Sequence, residues 1–380
     1  MNVRGRAFMG QTVRVDTRLR DVSMPARTPV DTEEIGYDEL ALAARNHGMP
    51  LEALRYDITP PGLHYTLVHY DIPWLDEREW RLSVTGLVTA PGEFSLDDLR
   101  ALPSRTVRIT MECAGNGRAR LRPRPVSQPW LVEAVGTAEW TGVPLARVLG
   151  EIGMARGAAS VVFTGADHGT ERGVEQDYQR GLSLEDALNE EVLLAYEMNG
   201  APLPPQHGYP LRLIVPGWYG MTNVKWLRAI ELTEAPFTGF QMLAYCERQD
   251  ADDPGEPVTR INVRALMVPP GMPDFMSRAR IVRPGPLTLT GRAWSGHAPV
   301  TRVEVSTDDC RTWQPATLTE GGSRWAWRGW TFDWTATPGR HVLAVRATDA
   351  AGDAQPIGQR WNRGGFANNA VHRVALACIP

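Results

Sequence analysis

Lysine is nearly absent from this chain. Of 40 basic residues only one, Lys225, carries an ammonium. So strong a bias toward arginine makes an ordinary surface arginine uninformative. It also marks the one lysine, because the two side chains are not equivalent donors, although chance survival explains it equally well. Cysteine is scarce and scattered: Cys113, Cys246, Cys310 and Cys378 show no CxxC spacing, which excludes a thiolate zinc site and a disulfide framework. Cys310 and Cys378 are free to pair in principle, but nothing local demands it, and any metal chemistry must rest on a single cysteine. No apolar run approaches the ~20 residues of a spanning helix, so no membrane span is expected. No charge of one sign dominates either. Forty basic against 44 acidic residues leave a net −4, too little for a field that holds nucleic acid or an anionic membrane. The opening MNVRGRAFMG has neither a twin-arginine pair nor an apolar h-region, so no export signal is visible. The expectation is a soluble protein, cytoplasmic as the chain stands and periplasmic if a leader is missing.

What is present is globular. At 380 residues, with 43% hydrophobic and 22% charged, the chain suggests two or three domains. Residues 1–35 lack helical periodicity and read as an extended arm. Residues 36–252 mix strands with short helices, an α+β pattern: a helix over Asp38 to Asn46, strands at Trp80 to Gly86, Val107 to Met111, Ser160 to Thr164 and Leu211 to Pro216, and a Ser95-capped helix. Gly181 to Glu190 mixes a turn with a helix. After the polar linker Ala251 to Pro257 the texture changes. Short alternating strands recur at Pro286 to Ala293, Thr301 to Ser306, Arg324 to Trp334 and His341 to Thr348, with hairpin chemistry at Asp308-Asp-Cys-Arg311. Trp325, Trp327, Trp330, Phe332 and Trp334 read as the buried face of one sheet. Residues 253–380 thus fit an immunoglobulin-like β-sandwich.

Two stretches carry chemistry. In Arg108-Ile-Thr-Met-Glu-Cys113-Ala-Gly-Asn-Gly117-Arg118 a strand runs into a cysteine, small residues, and then arginines. Small neighbours expose a sulfur, and guanidinium groups lower a thiol pKa or hold an anion. A buried structural cysteine before a glycine turn accounts for the same spacing. In Tyr196 to Arg212 and Pro216 to Trp226, His207, Arg212 and Lys225 gather donors around a strand and a glycine-rich loop. That is what a phosphate-bearing cofactor needs.

The runs Cys113-Ala-Gly-Asn116, Leu194-Ala-Tyr-Glu-Met-Asn-Gly200, His207-Gly-Tyr-Pro-Leu-Arg212 and Val224-Lys-Trp226 resemble the sulfite oxidase family of molybdenum enzymes. The last third resembles that family's dimerisation domain. Leu63-His-Tyr-Thr-Leu-Val-His69-Tyr-Asp-Ile-Pro73, with Pro125 to Trp130, resembles the bacterial haem-free sulfite or sulfane dehydrogenase branch. The resemblance implies a mixed α/β molybdopterin domain over 36–252 and a homodimer through 253–380. It implies a molybdenum–molybdopterin cofactor, no haem, and Cys113 as the only protein ligand to the metal. Asp167, His69, His207, Arg212 and Lys225, with Asn223 and Val224 beside the lysine, match residues that hold the pterin and its phosphate. Arg118 matches a substrate-anion arginine, Trp130 a pocket aromatic, and Tyr245 the tyrosine beside the transferable oxygen.

Two departures bear on substrate. Leu67 stands where the family has an arginine, a role that Arg45-Asn-His47 earlier in the chain does not take over. Arg363, in Trp361-Asn-Arg-Gly-Gly365, sits one place early relative to the family's second substrate arginine. The implied activity is oxidation of sulfite to sulfate by oxygen-atom transfer, with electrons passed to a c-type cytochrome or, second, to dioxygen. The alternative is a sulfane dehydrogenase acting on a larger or protein-bound sulfur. The family's protein-methionine-sulfoxide reductases run the other way but lack the sandwich expected here. From another class, a non-catalytic immunoglobulin-like binding protein fits the composition of the last third.

Overall fold

The computed structural model describes residues 35–379; but for Ile35, the expected N-terminal arm lies outside the described residues. The first part is built on two sheets. One has the strand order Gly92–Phe94, Leu82–Gly86, Leu227–Thr233, Ser160–Glu171, Val174–Ser183. Its second and third strands run parallel, and its other pairs are antiparallel. The other sheet orders Arg105–Glu112, Val135–Pro144, Leu193–Met198 and Ala201–Pro202, with Arg212–Ile214 also on Leu193–Met198. Between the sheets lies an apolar core that includes Leu82, Val84, Val143, Leu194 and Ile230. Helix Leu145–Ile152 buries Leu145, Val148 and Leu149 against it. Helix Leu96–Ala101 starts where Ser95 predicts: the Ser95 hydroxyl accepts from Asp98 N–H, and the Asp98 carboxylate accepts from Ser95 N–H.

The last third is a β-sandwich of a four-stranded and a six-stranded sheet. Its core holds Leu289, Val303, Trp330, Leu343 and Val345. The fold is therefore a mixed α/β domain followed by a β-sandwich, as expected. Two details differ. The strand expected over Arg324 to Trp334 is Arg328–Ala336, and Trp325 and Trp327 leave the sandwich for the other domain. Trp325 carbonyl accepts from Thr110 N–H at 2.8 Å, and Trp327 N–H donates to the Thr110 hydroxyl at 2.8 Å. Their indoles donate to Glu191 and to the Asp57 carbonyl. The segment covers the open edge of Arg105–Glu112, an edge that would otherwise invite pairing. Their two-residue spacing has a different cause from the one the alternation suggests. Secondly, Gly181 and Leu182 continue the strand Val174–Ser183, and helix Leu184–Ala187 follows. All four cysteines are free thiols, so Cys310 and Cys378 are not joined. Among the described residues no helix is long and apolar enough to cross a membrane.

Candidate active site

Strand Arg105–Glu112 grows more buried toward its C-terminal end and delivers Cys113 into the interior. Cys113 N–H donates to Ala134 O at 2.9 Å. Asn116 fixes the turn that follows: its amide donates to Glu112 and to Val132 O and accepts from Ala134 N–H. Gly115 has no room for a side chain, because an added Cβ would meet the Arg118 guanidinium at 2.5 Å. Arg118 folds back there and is buried. Its Nε donates to Gly364 O at 2.9 Å, Nη1 to Gln128 O at 3.3 Å, and its plane lies 5.1 Å from the Phe366 ring. Burial pushes the Cys113 thiol up; Arg118, the Gly115 N–H and the Trp130 indole oppose that rise.

Cys113 opens on a narrow cleft with room for about 60 Å³. Across it stands Tyr245, at the end of helix Phe240–Ala244, whose hydroxyl shares a 2.9 Å hydrogen bond with His69 Nε2. Burial lifts the phenol well above its ordinary range. Burial, with Lys225, Arg45 and Arg118, pulls His69 down to about 3.

The far end of the cleft is cationic. Arg212 is buried over the Trp140 ring at 4.6 Å, with Nη1 on His207 O at 2.9 Å and Nη2 on Asn223 O at 3.1 Å. Gly208, at φ 107°, lets Lys225 and Arg212 approach: a Cβ there would lie 3.0 Å from one and 3.1 Å from the other. Lys225 Nζ donates to Leu67 O at 2.7 Å and Gln206 O at 3.2 Å. Asp167 faces them from strand Ser160–Glu171, where the register shifts between Thr164 and His168, a bulge that re-aims its side chain. Burial pulls the Lys225 ammonium down, with Arg212 adding and Asp167 opposing. Burial pushes the Asp167 carboxyl up against the pull of Lys225.

Among the buried atoms here without a partner are His207 Nε2, Arg212 Nε and Asp167 Oδ1, with His64 Nε2 and Thr66 Oγ1 beside them. Buried polar groups are ordinarily satisfied. Two cations against one carboxylate, with an orphaned acceptor on Asp167, suit an anionic group that also carries N–H donors. A pterin with a phosphate fits that description. Among the described residues no three His, Cys, Asp or Glu side chains converge as a metal-ligand set.

Of the residues singled out in the sequence, Cys113, Tyr245 and His69 line the cleft at one end, and Asp167, His207, Arg212, Asn223 and Lys225 at the other. The Asn223 amide is spent within the fold, accepting from Val215 N–H and donating to Tyr219 O. Val224 packs in the core, its carbonyl accepting from Leu213 N–H. Arg118 and Trp130 sit behind Cys113. Arg363 holds its loop through N–H to Arg248 O at 2.8 Å; neither it nor the other two lines the cleft. Sequence reasoning missed His64 and Arg180. His64 stands edge-on to His207 at 5.4 Å, and burial lowers it to about 4. Its signal lay within the Leu63-His-Tyr motif. Arg180 had none in so arginine-rich a chain.

Residues 69–241 match the family described as oxidoreductase molybdopterin binding domain, and residues 256–378 match the Mo-co oxidoreductase dimerisation domain. Mitochondrial sulfite oxidase of Mus musculus is 35% identical over 352 residues, 85% of this chain and 62% of that protein. An NADH nitrate reductase of Brassica napus is 32% identical over 354 residues, 85% of this chain and 39% of that protein. The chain thus spans less than two thirds of either relative. The crystal structure of the sulfane dehydrogenase SoxCD from Paracoccus pantotrophus superposes with a TM-score of 0.77 at 24% identity, over 100% of this chain and 96% of that one. At that identity the likeness is one of fold.

Proposed function

The chain belongs to the sulfite-oxidase superfamily of molybdopterin oxidoreductases, and from that premise we propose that it oxidises reduced sulfur beside Cys113, in a substrate larger than free sulfite. When bound, the molybdenum–pterin group supplies a transferable oxygen and takes up two electrons. The chain's residues do the rest. Lys225, Arg212 and His207 hold the phosphate, and Asp167 accepts from the pterin ring. Cys113 is the metal's protein ligand, a role suited to soft sulfur. Tyr245, kept protonated by burial and held by His69, presents a hydroxyl to the reacting oxygen. Arg118 sets a fixed positive charge behind the sulfur, the kind of preorganised electrostatics that stabilises developing charge. The balance is substrate sulfur plus water giving the oxygenated sulfur, two protons and two electrons. The electrons leave to an external acceptor, a c-type cytochrome before dioxygen. We assign 36–252 to the catalytic domain and 253–380 to a dimerisation domain that pairs two copies.

One observation carries the size of the substrate: Leu67, not a guanidinium, lines the cleft where the family resemblance places a substrate arginine. At that position the side chain is apolar and gives a small dianion no guanidinium to bind. A second reading, free sulfite, is favoured by Arg118 and by the likeness to a protein named sulfite oxidase. The test is metal content with turnover on one sample. About one molybdenum per chain is expected, with reduction of ferricyanide or cytochrome c driven faster by a protein-bound persulfide than by sulfite. Faster turnover on sulfite installs the second reading. A molybdenum-free sample, inert to both and to nitrate with reduced viologen, contradicts the enzyme and leaves a binding protein.

A further inference from the structure

Two buried guanidinium groups bracket Tyr245. Arg118 is one; the other, Arg180, comes from strand Val174–Ser183 and is 2% exposed. Its guanidinium carbon lies 5.7 Å from the centroid of the Tyr245 ring. Nη1 donates to Gln241 O at 2.6 Å, in the helix that ends at Tyr245, while Nε is buried with no partner. Two buried arginines of this chain are matched by buried carboxylates, Arg124 by Glu39 and Arg264 by Glu112; Arg180, like Arg212 and Arg118, makes no ion pair among the described residues. The ionisable groups that bear on Arg180 are Tyr178, Tyr245 and Cys246, none of them a carboxylate. A buried charge without a counter-charge is costly, and this one is held over the ring of a tyrosine that lines the cleft.

In the same cleft the side chain at position 67 is a leucine where the resemblance expects an arginine, and the nearby Lys225 ammonium is engaged by the Leu67 and Gln206 carbonyls. We propose that Arg180 sets the anion specificity of this site, supplying from behind Tyr245 the positive charge that Leu67 does not. The proposal rests on the functional reading above and deepens it. Arg180 is a positioning residue: it touches Tyr245 and Gln241, and reaches the substrate only through the ring and its field. In a water-poor interior such a field falls off slowly. Set back from the cleft, the charge leaves space that an arginine at position 67 would fill, so an extended sulfur group with an anionic head is accommodated.

The experiment measures sulfate affinity of the cofactor-loaded protein by isothermal titration calorimetry at constant ionic strength, with thermal unfolding run alongside. Arg180→Met is expected to weaken sulfate about tenfold, Arg180→Lys to stay within about threefold of wild type, and Leu67→Arg in the Arg180→Met background to restore most of the loss. In turnover the same Arg180→Met change raises KM for an anionic sulfur substrate far more than it lowers kcat. Sulfate binding unchanged in Arg180→Met overturns the proposal. So does an Arg180→Lys defect equal to that of Arg180→Met with an equal drop in Tm, which makes the residue a brace for helix Phe240–Ala244. Wild-type protein that binds no sulfate removes the anion site and overturns the proposal, whereas the functional reading falls only with metal content and turnover.

Discussion

His64, His69, His207 and His372 are each buried deeply enough to be held neutral, and burial lowers them to about 4, 3, 2 and 3. His372 lies in the sandwich. Its Nδ1 accepts the Met267 N–H at 3.0 Å, and Arg120 and Arg264 face it and disfavour a second proton. Because the folded values lie below the unfolded 6.5, the unfolded chain takes up protons that the fold refuses. Stability is therefore lost as pH falls below about 6.5, by about 1.4 kcal/mol per pH unit for each such histidine. Urea unfolding at pH 7, 6 and 5 should show that decline, and His372→Gln, which keeps an acceptor for Met267, should lessen its slope by about one histidine's worth. An unchanged slope contradicts the neutral, buried assignment. Residues of this kind differ in how visible they are in a sequence. Lys225 stands out because it is the one lysine. Arg180 is invisible among so many arginines, since what distinguishes it is its place over the Tyr245 ring, and that is a property of three-dimensional neighbours.

Strand Arg105–Glu112 joins the sandwich to the sulfur. Its last residue, Glu112, is buried and accepts from Arg264 of strand Arg264–Met267, from the Trp294 indole at 2.9 Å and from Asn116 at 2.9 Å. Three elements thus converge one residue before Cys113. Removing one partner of a buried ion pair strands the other charge, at a cost of about 3–5 kcal/mol. Glu112→Gln is expected to lose about that much in urea unfolding and to loosen the cysteine turn. A change under about 1 kcal/mol shows that the pair does not brace it. The strand itself was legible, because Val107, Ile109 and Met111 alternate as a half-buried strand does. Its partner was not, since the Arg264–Glu112 contact spans more than 150 residues. The bulge that aims Asp167 was equally hidden, because a register shift leaves the polar–apolar pattern on either side intact. The paired tryptophans 325 and 327 alternated as a strand does, yet their indole N–H groups find acceptors across the domain boundary.

At the scale of the molecule, the sandwich and the α/β domain share one apolar cluster, with Tyr219, Tyr245 and Ala114 from one side and Trp294, Trp327 and Ala367 from the other. The loop that carries Gly364 and Phe366 closes over Arg118. The second domain is thus part of the wall behind the sulfur. On the outer surface, Phe275 and Met276 stand more than 80% exposed on the sandwich. The two-domain plan was readable from motif order, whereas the shared cluster was not, since neither domain's pattern announces what its own surface will meet. The account as a whole depends on Cys113 being bonded to molybdenum, and X-ray absorption at the molybdenum edge measures that bond. Wild-type protein and Cys113→Ser, both loaded with cofactor, should differ by one sulfur neighbour, with turnover lost in the variant and pterin retained. Identical sulfur shells, or full activity in Cys113→Ser, would contradict it.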